Sequence, residues 1–220
     1  MKHIVVTIDG PAGTGKSTVA KEVAKKLGFL YLDTGALYRA AAVAIEDSGC
    51  RIDDDKNCEQ VLSRTTIGLT GDRVFLNGFD VTQRIRSHHV SSLASEIAVH
   101  PHVRNALLNI QRSFRERGSL VAEGRDTGSV VFPDADIKIY LDASQEERAR
   151  RRYEELVSKG SAISYEQVLN DLRERDARDT SRATAPLVIP QHAIVVDTTH
   201  LSIENVARIV LDKVRGFLAD

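Results

Sequence analysis

The run GPAGTGKS at residues 10–17 constrains this chain more than any other feature. It satisfies GxxxxGK[ST] at every specified position and follows directly on the apolar stretch IVVTI at residues 4–8. Each residue type has a chemical reason. Glycines let backbone N–H groups converge on phosphate oxygens, a lysine neutralises the β- and γ-oxygens, and the final hydroxyl can ligate Mg2+. A helical pattern over residues 16–27, closed by Gly28 where a C-cap glycine belongs, points its positive dipole end at the same anion. Gly10, Pro11, Ala12, Gly13, Thr14, Gly15, Lys16, Ser17 and Thr18 are therefore the expected cradle for a nucleoside triphosphate, with Ser17 as the metal ligand.

The rest of the chain alternates in the way that context requires. Short apolar runs at 4–8, 29–32, 120–122, 137–141 and 194–196 are separated by helical patterns, including 36–46, 90–98, 103–117 and 203–217. Five such strands alternating with helices predict an α/β fold: a five-stranded parallel sheet with helices on both faces. Ligands of such sheets bind beyond the carboxyl ends of the strands, and here every strand ends in Asp, Glu, Thr, Gly or Arg. Residues 67–81 break the pattern with two hairpin signals, at Thr70-Gly71-Asp72 and Asn77-Gly78, which predict a small antiparallel insertion. Capping-box spacings at Ser144/Glu147 and Ser164/Gln167 start a pair of helices joined by the short connection Ser158-Lys159-Gly160-Ser161.

Composition narrows the class. The net charge of −1 argues against a general nucleic-acid binder, and no segment approaches the roughly 18 apolar residues of a membrane span. The N-terminal residues Met1 to Ile4 carry no secretory signal, so Cys50 and Cys58 are expected as free thiols and the chain as cytoplasmic. Of the 30 basic residues 21 are Arg, a bias that suits bidentate phosphate recognition. His88-His89 and His100-x-His102 read as surface or packing histidines, because no Cys or carboxylate cluster beside them completes a metal site. Asp53-Asp54-Asp55 reads as a solvated loop or a helix start.

No guanine-reading NKxD segment is present, and arginines recur at strand-end loops and in two late helices. That pattern suits transfer to a phosphate acceptor, whose second pKa of about 6 makes it a dianion at pH 7 without a general base. The remaining difficulty is repulsion between two polyanions, which several cations and Mg2+ relieve. Arg175, Asp179 and Arg182 at i, i+4, i+7 share one helix face and could grip a phosphate and a ribose hydroxyl together. For residues 146–155 a solvated salt-bridge ladder competes with phosphate binding, since Glu147, Arg151 and Glu155 stand four apart.

Four ordered motifs together make the chain recognisable: IDGPAGTGKS (8–17), LDTGALYR (32–39), EGRDTG (123–128) with VFPDA (131–135), and RDxRDxxR (175–182). In these it resembles the bacterial cytidylate kinases over essentially its whole length. Thr34 and Ser17 depart slightly, standing where that family often has Ser and Gly. The resemblance implies an adenylate-kinase-like core, a β-rich monophosphate-binding insertion over residues 63–90 and a short lid over 148–163. It implies ATP and Mg2+, with CMP or dCMP as acceptor, no stable nucleic-acid partner and no membrane; a monomer is the default. Thr34, Arg39 and Arg125 correspond to acceptor-phosphate ligands, and Ser95, Arg104 and Asp126 to the cytosine-reading set. Arg175, Asp179 and Arg182 correspond to sugar and phosphate contacts. Lys16, Arg125, Arg151, Arg152 and Arg182 are expected to carry the transition-state charge. A P-loop kinase for another small acceptor, or a nucleotide- or RNA-binding module, are the competing readings.

Overall fold

The computed structural model describes residues 3–158 and 160–219. Met1, Lys2 and Lys159, on which parts of the N-terminal and lid expectations fall, lie outside the described residues. The chain divides into two compact units, residues 1–32 with 115–220, and residues 33–114.

The first unit is built on five parallel strands, β1 (Val5–Asp9), β2 (Leu30–Asp33), β6 (Leu120–Gly124), β7 (Ile137–Asp142) and β8 (Ile194–Asp197), in the order β2-β6-β1-β7-β8. β1 lies at the centre because all five of its residues are buried, including Thr7 and Asp9. Its side chains alternate between faces. Val6 and Ile8 join α1 (Lys16–Leu27) through Val19, Ala20 and Val23, and α8 (Ile203–Ala219) through Val206, Ala207, Val210 and Val214. The spacing of those helix residues is the i, i+3, i+4 stripe that faces a core. The chain leaves β1 in one direction for β2 and later crosses to β7 and β8 on the other side, so the strand order reverses about β1. A crevice at such a reversal is where these sheets place their ligands.

Helices α6 (Gln145–Ser158) and α7 (Tyr165–Ser181) form a hairpin with its own small core of Ala149, Val168 and Leu172 closed over Ala12 of the glycine-rich loop. Ser164 makes both bonds of its capping box with Gln167. At Ser144 the hydroxyl accepts from Glu147 N, while Ser144 N donates to Thr199 Oγ1 and the Glu147 carboxylate pairs with Arg150 and Arg151.

The second unit holds α2 (Thr34–Asp47), α3 (Asp55–Ser63), α4 (His88–Ile97) and most of α5 (Pro101–Arg117). It also holds the antiparallel sheet β3 (Ile67–Thr70), β4 (Arg73–Leu76) and β5 (Phe79–Asp80). Asn77 and Gly78 both adopt positive φ (50° and 85°), as a two-residue hairpin turn demands. The Asp53–Asp55 triplet resolves into a helix start, with Asp54 accepting from Asn57 N. Pro101, expected between two helices, is instead the first residue of α5, where its missing N–H costs nothing.

Two glycines at positive φ separate conformational from steric demand. A Cβ on Gly10 (φ 150°) would lie 2.1 Å from the Leu141 carbonyl oxygen in β7, a backbone atom that cannot yield. A Cβ on Gly28 (φ 68°) would meet nothing within 4 Å. Gly28→Ala should therefore lower stability by only about 1 kcal/mol, the left-handed penalty alone. Gly10→Ala should cost on the order of 3 kcal/mol or more, or prevent folding. Urea denaturation of both variants checks the difference, and equal losses would show that the β7 contact is unimportant.

Candidate functional site

The glycine-rich loop follows β1 and runs into α1, whose N-terminus is preceded by Gly15 at φ 85° and carries no side-chain cap. The first backbone N–H groups of the helix are thus directed at whatever anion the loop holds. The Lys16 side chain is buried, and its ammonium donates to the Pro11 carbonyl at 2.8 Å. Burial first, and then the positive charge of Arg125, push its pKa down to about 7. Ser17 Oγ donates to Glu123 Oε1 at 2.7 Å, and the Tyr31 hydroxyl reaches the same oxygen at 3.4 Å. Parallel pairing of β1 and β6 sets Glu123 beside Ile8 at the carboxyl end of the sheet. A hydroxyl and a carboxylate side by side, with no nitrogen or sulfur ligand in the pair, are the donor set a hard dication such as Mg2+ prefers.

A cluster of opposed charges adjoins this loop. Arg125 Nε donates to Asp179 Oδ2 at 2.8 Å, and Arg182 approaches Asp179 Oδ1 at 3.9 Å and Asp126 Oδ1 at 3.6 Å. Burial opposes the ionisation of Asp179, yet the charges of Arg125 and Arg175 hold its carboxyl below the usual carboxylate range. Burial likewise opposes the charge on Arg125, and Asp179 and Glu123 more than offset it, so its pKa is raised. Arg175, Arg125, Glu123 and Asp179 all act electrostatically on Lys16, so these residues form one field. Arg182 is not on the helix face expected of it. It is the C-cap of α7 with extended backbone (ψ 137°), and it is held by Nε donating to the Ala185 carbonyl at 2.6 Å.

The loop that carries Arg125 and Asp126 is fixed by a residue the sequence reading passed over. Asp9, fully buried at the end of β1, accepts from Thr127 N (2.8 Å), Thr127 Oγ1 (2.7 Å) and Gly128 N (2.7 Å). Its pKa is raised by burial, against those three bonds. The bonds anchor a π-helical turn over Thr127–Val131, of a kind that gathers at functional sites. The available signal was an acid ending an otherwise apolar strand directly before the glycine-rich loop.

The arginines of α6 divide by burial. Arg148 is buried and donates to the carbonyls of Ala12 and Ala143 (3.1 Å each) and to Asp176 Oδ2 (2.6 Å), bracing the glycine-rich loop against α7. Arg151 pairs with Glu147 at 2.8 Å and donates to the Thr198 carbonyl at 2.6 Å, while Thr198 Oγ1 donates to the Thr14 carbonyl at 3.4 Å. Arg150 pairs with Glu147 and Glu154, and Arg152 with Glu155, as the ladder reading expects of a solvated face.

The other expected substrate ligands lie in the second unit. Thr34 opens α2 and is buried, and Arg39, one turn on, pairs with Asp33 at 2.9 Å while its Nε is buried without a hydrogen-bond partner. Asp33 caps the same helix by accepting from Ala36 N at 2.8 Å. Ser95 is buried on α4, its hydroxyl also without a partner. Arg104 is buried on α5 with its guanidinium 5.6 Å from the centre of the Tyr38 ring. Buried polar atoms left unmatched by the protein are uncommon and suit a ligand.

Known proteins give the same reading. The cytidylate kinase family model matches residues 6–216. The chain is 47% identical over 212 residues to a cytidylate kinase of Caldanaerobacter subterraneus subsp. tengcongensis, covering 96% of this chain and 95% of that one. It is 49% identical over 217 residues to a cytidylate kinase of Solibacter usitatus, covering 98% and 94%. A crystal structure of an uncharacterized protein from Eubacterium ventriosum shares the fold, with a TM-score of 0.53 at 12% identity over 98% of this chain and 99% of that one. With a family model spanning nearly the whole chain and relatives close to half identical along their full length, this chain belongs to the cytidylate kinase family.

Proposed function

We propose that the chain transfers the γ-phosphoryl group of ATP to CMP and dCMP. The observation that carries this reading is the largely buried Arg125–Asp179–Arg182–Asp126 cluster, whose Arg125 and Asp179 act electrostatically on Lys16. A phosphate oxygen of CMP attacks the γ-phosphorus, the bond from that phosphorus to the β-bridging oxygen breaks, and the electron pair leaves with ADP. The acceptor is already a dianion, so no base is needed. What the residues supply is charge and alignment. Lys16 neutralises the donor phosphates, while Arg125 and Arg182 offset the charge of the group in flight. Arg151 and Arg152 add to this from the 148–163 segment, read here as the lid. Mg2+, when bound, supplies positive charge at the β- and γ-oxygens, and Ser17 with the Glu123 carboxylate would hold it.

Thr34 and Arg39 bind the acceptor phosphate in this scheme, with the 63–90 insertion as the monophosphate-binding part. Arg175 and Asp179 hold the sugar and phosphate, and Ser95, Arg104 and Asp126 read the base. Asp126 accepts from the exocyclic amine of cytosine, which uracil replaces with a carbonyl. The unpartnered Ser95 hydroxyl and the loose ion pair of Asp126 with Arg182, at 3.6 Å, support that division. The free thiols of Cys50 and Cys58 suit a cytoplasmic protein. No helix among the described residues is long and apolar enough to cross a membrane. A monomer acting on small molecules is the simplest form of this reading.

ADP release measured with ATP·Mg2+ and CMP, dCMP, UMP or AMP should be strong for the cytidine acceptors, weak for UMP and lost in Lys16→Ala. Turnover with another acceptor but not CMP would overturn the base-reading set, and no transfer at all would overturn the kinase assignment. Asp126→Asn should shift the CMP-to-UMP ratio of kcat/KM toward UMP by roughly 10- to 100-fold. That ratio is blind to general damage, which lowers both rates together.

The depressed pKa of Lys16 gives a third expectation. At pH 8 a lysine with a pKa of about 7 is mostly neutral. Polyphosphate beside it favours the ammonium and raises the pKa. ATP binding at pH 8 should therefore take up a fraction of a proton, with the uptake fading below pH 6, where Lys16 is already charged. Calorimetry in two buffers of different ionisation enthalpy reads this directly, and binding without proton exchange would refute the shift.

A further inference from the structure

The second unit also brings together three side chains that lie apart in sequence. Asp55 is the first residue of α3, His100 immediately precedes α5, and His102 is the second residue of α5. Asp55 Oδ1 lies 3.1 Å from His102 Nδ1 and 3.5 Å from His100 Nδ1. One ligand atom from each residue falls within 4.8 Å of the others. Bonds of about 2.0–2.1 Å to a tetrahedral dication put neighbouring ligand atoms roughly 3.3 Å apart. Both measured edges fit that figure, and a modest turn of an imidazole would bring in the third.

His102 supplies the independent observation. Its side chain is only 9% exposed, and neither ring nitrogen makes a hydrogen bond. An imidazole buried this way loses its hydration without recompense. Nδ1 stands close to the carboxylate but out of line for a hydrogen bond, the relation expected of two atoms that share a cation between them. His89, by contrast, is an exposed histidine with an ordinary carboxylate partner, Glu46.

We propose that Asp55, His100 and His102 form a binding site for a transition-metal dication of the Zn2+ class, with solvent in the fourth position. Two imidazole nitrogens and one carboxylate oxygen are a donor set that Zn2+ uses, while Mg2+ and Ca2+ prefer oxygen throughout. The ion ties the start of α3 to the start of α5 within one unit. Two helix N-termini oppose a cation. Asp55 itself and the neighbouring Asp53 and Asp54 offset that opposition. The site uses neither Ser17 nor Glu123 and does not depend on the phosphoryl-transfer reading.

The test uses the untagged full chain, stripped with a chelator and titrated with Zn2+ against a chromophoric competitor, then loaded with Co2+ as a spectroscopic probe. One equivalent of Zn2+ should bind, and Co2+ should give the visible bands of a four-coordinate nitrogen–oxygen site without thiolate charge transfer. Losing even a hydrogen-bond partner of a ligand typically weakens binding roughly 10- to 100-fold, so His102→Asn should weaken it by about 100-fold or more. Asp55 is exposed, so Asp55→Asn should keep the fold, as its metal-free melting curve will verify, and still lose the ion. Zn2+ should raise the melting temperature of the parent chain but not of Asp55→Asn. Absence of Zn2+ binding by the parent chain would overturn the proposal. So would binding that survives Asp55→Asn and His102→Asn but disappears in Cys58→Ser or Ser17→Ala, since the ion would then sit on the thiols or in the phosphate loop.

Discussion

The carboxylate of Asp9 accepts three hydrogen bonds at the end of β1, and the positions of the charged groups around the phosphate loop follow from it. Burying a carboxylate is expensive unless donors surround it, and here the donors all come from Thr127 and Gly128. The chain leaving β6 must therefore turn back against β1, which sets Arg125 and Asp126 at the carboxyl edge of the sheet. On the other side of β1, Gly10 passes so close to the Leu141 carbonyl that only a hydrogen fits. The phosphate loop is thus held between two neighbouring strands before any ligand contributes.

Charge around that loop does two kinds of work. Arg148 braces backbone carbonyls and Asp176 from a buried position, so its loss would strand both a carboxylate and two acceptors, a change that typically costs several kcal/mol. Arg150 and Arg152 lie on a solvated face, where an ion pair contributes at most about 1 kcal/mol. Arg125 and Arg182 are intermediate in kind. Each balances an aspartate within the fold, and Arg125 with Arg175 lends permanent positive charge to the field around Lys16, whose own charge is weakened by burial. Fixed guanidinium groups keep the field positive at a pH where the lysine alone would fluctuate between charged and neutral.

Both units combine ion pairs with unmatched buried polar atoms. In the first, ion pairs tie Arg125 to Asp179 and Arg148 to Asp176, and Thr7, Ser129 and Asp176 carry buried polar atoms that make no hydrogen bond. In the second, Arg39 pairs with Asp33, and Ser95, Arg39 and His102 carry such atoms as well. Interiors rarely tolerate them without a reason.

By itself the sequence determined the phosphate loop, the five strands and the helix that follows each of the first two. Those features depend on local pattern: a strand-length apolar run, glycines at fixed offsets, a helical stripe from Val19 to Val23, and Gly28 as a cap. The hairpins at Gly71 and Asn77-Gly78 were legible for the same reason, since turn geometry is set by two or three adjacent residues. The start of α3 was half legible from its aspartates, but the helix itself, only nine residues long, was not. Only the tertiary structure decided which of the clustered arginines is a brace, which a surface partner and which pairs with a buried aspartate. It also decided that Arg182 stands at the end of its helix as the C-cap, that Asp9 organises the loop after β6, and that Asp55 meets two histidines more than forty positions away. The physical reason is the same in each case. A charged side chain takes its role from burial and from partners brought up by other strands and helices, and neither is encoded in its own neighbourhood.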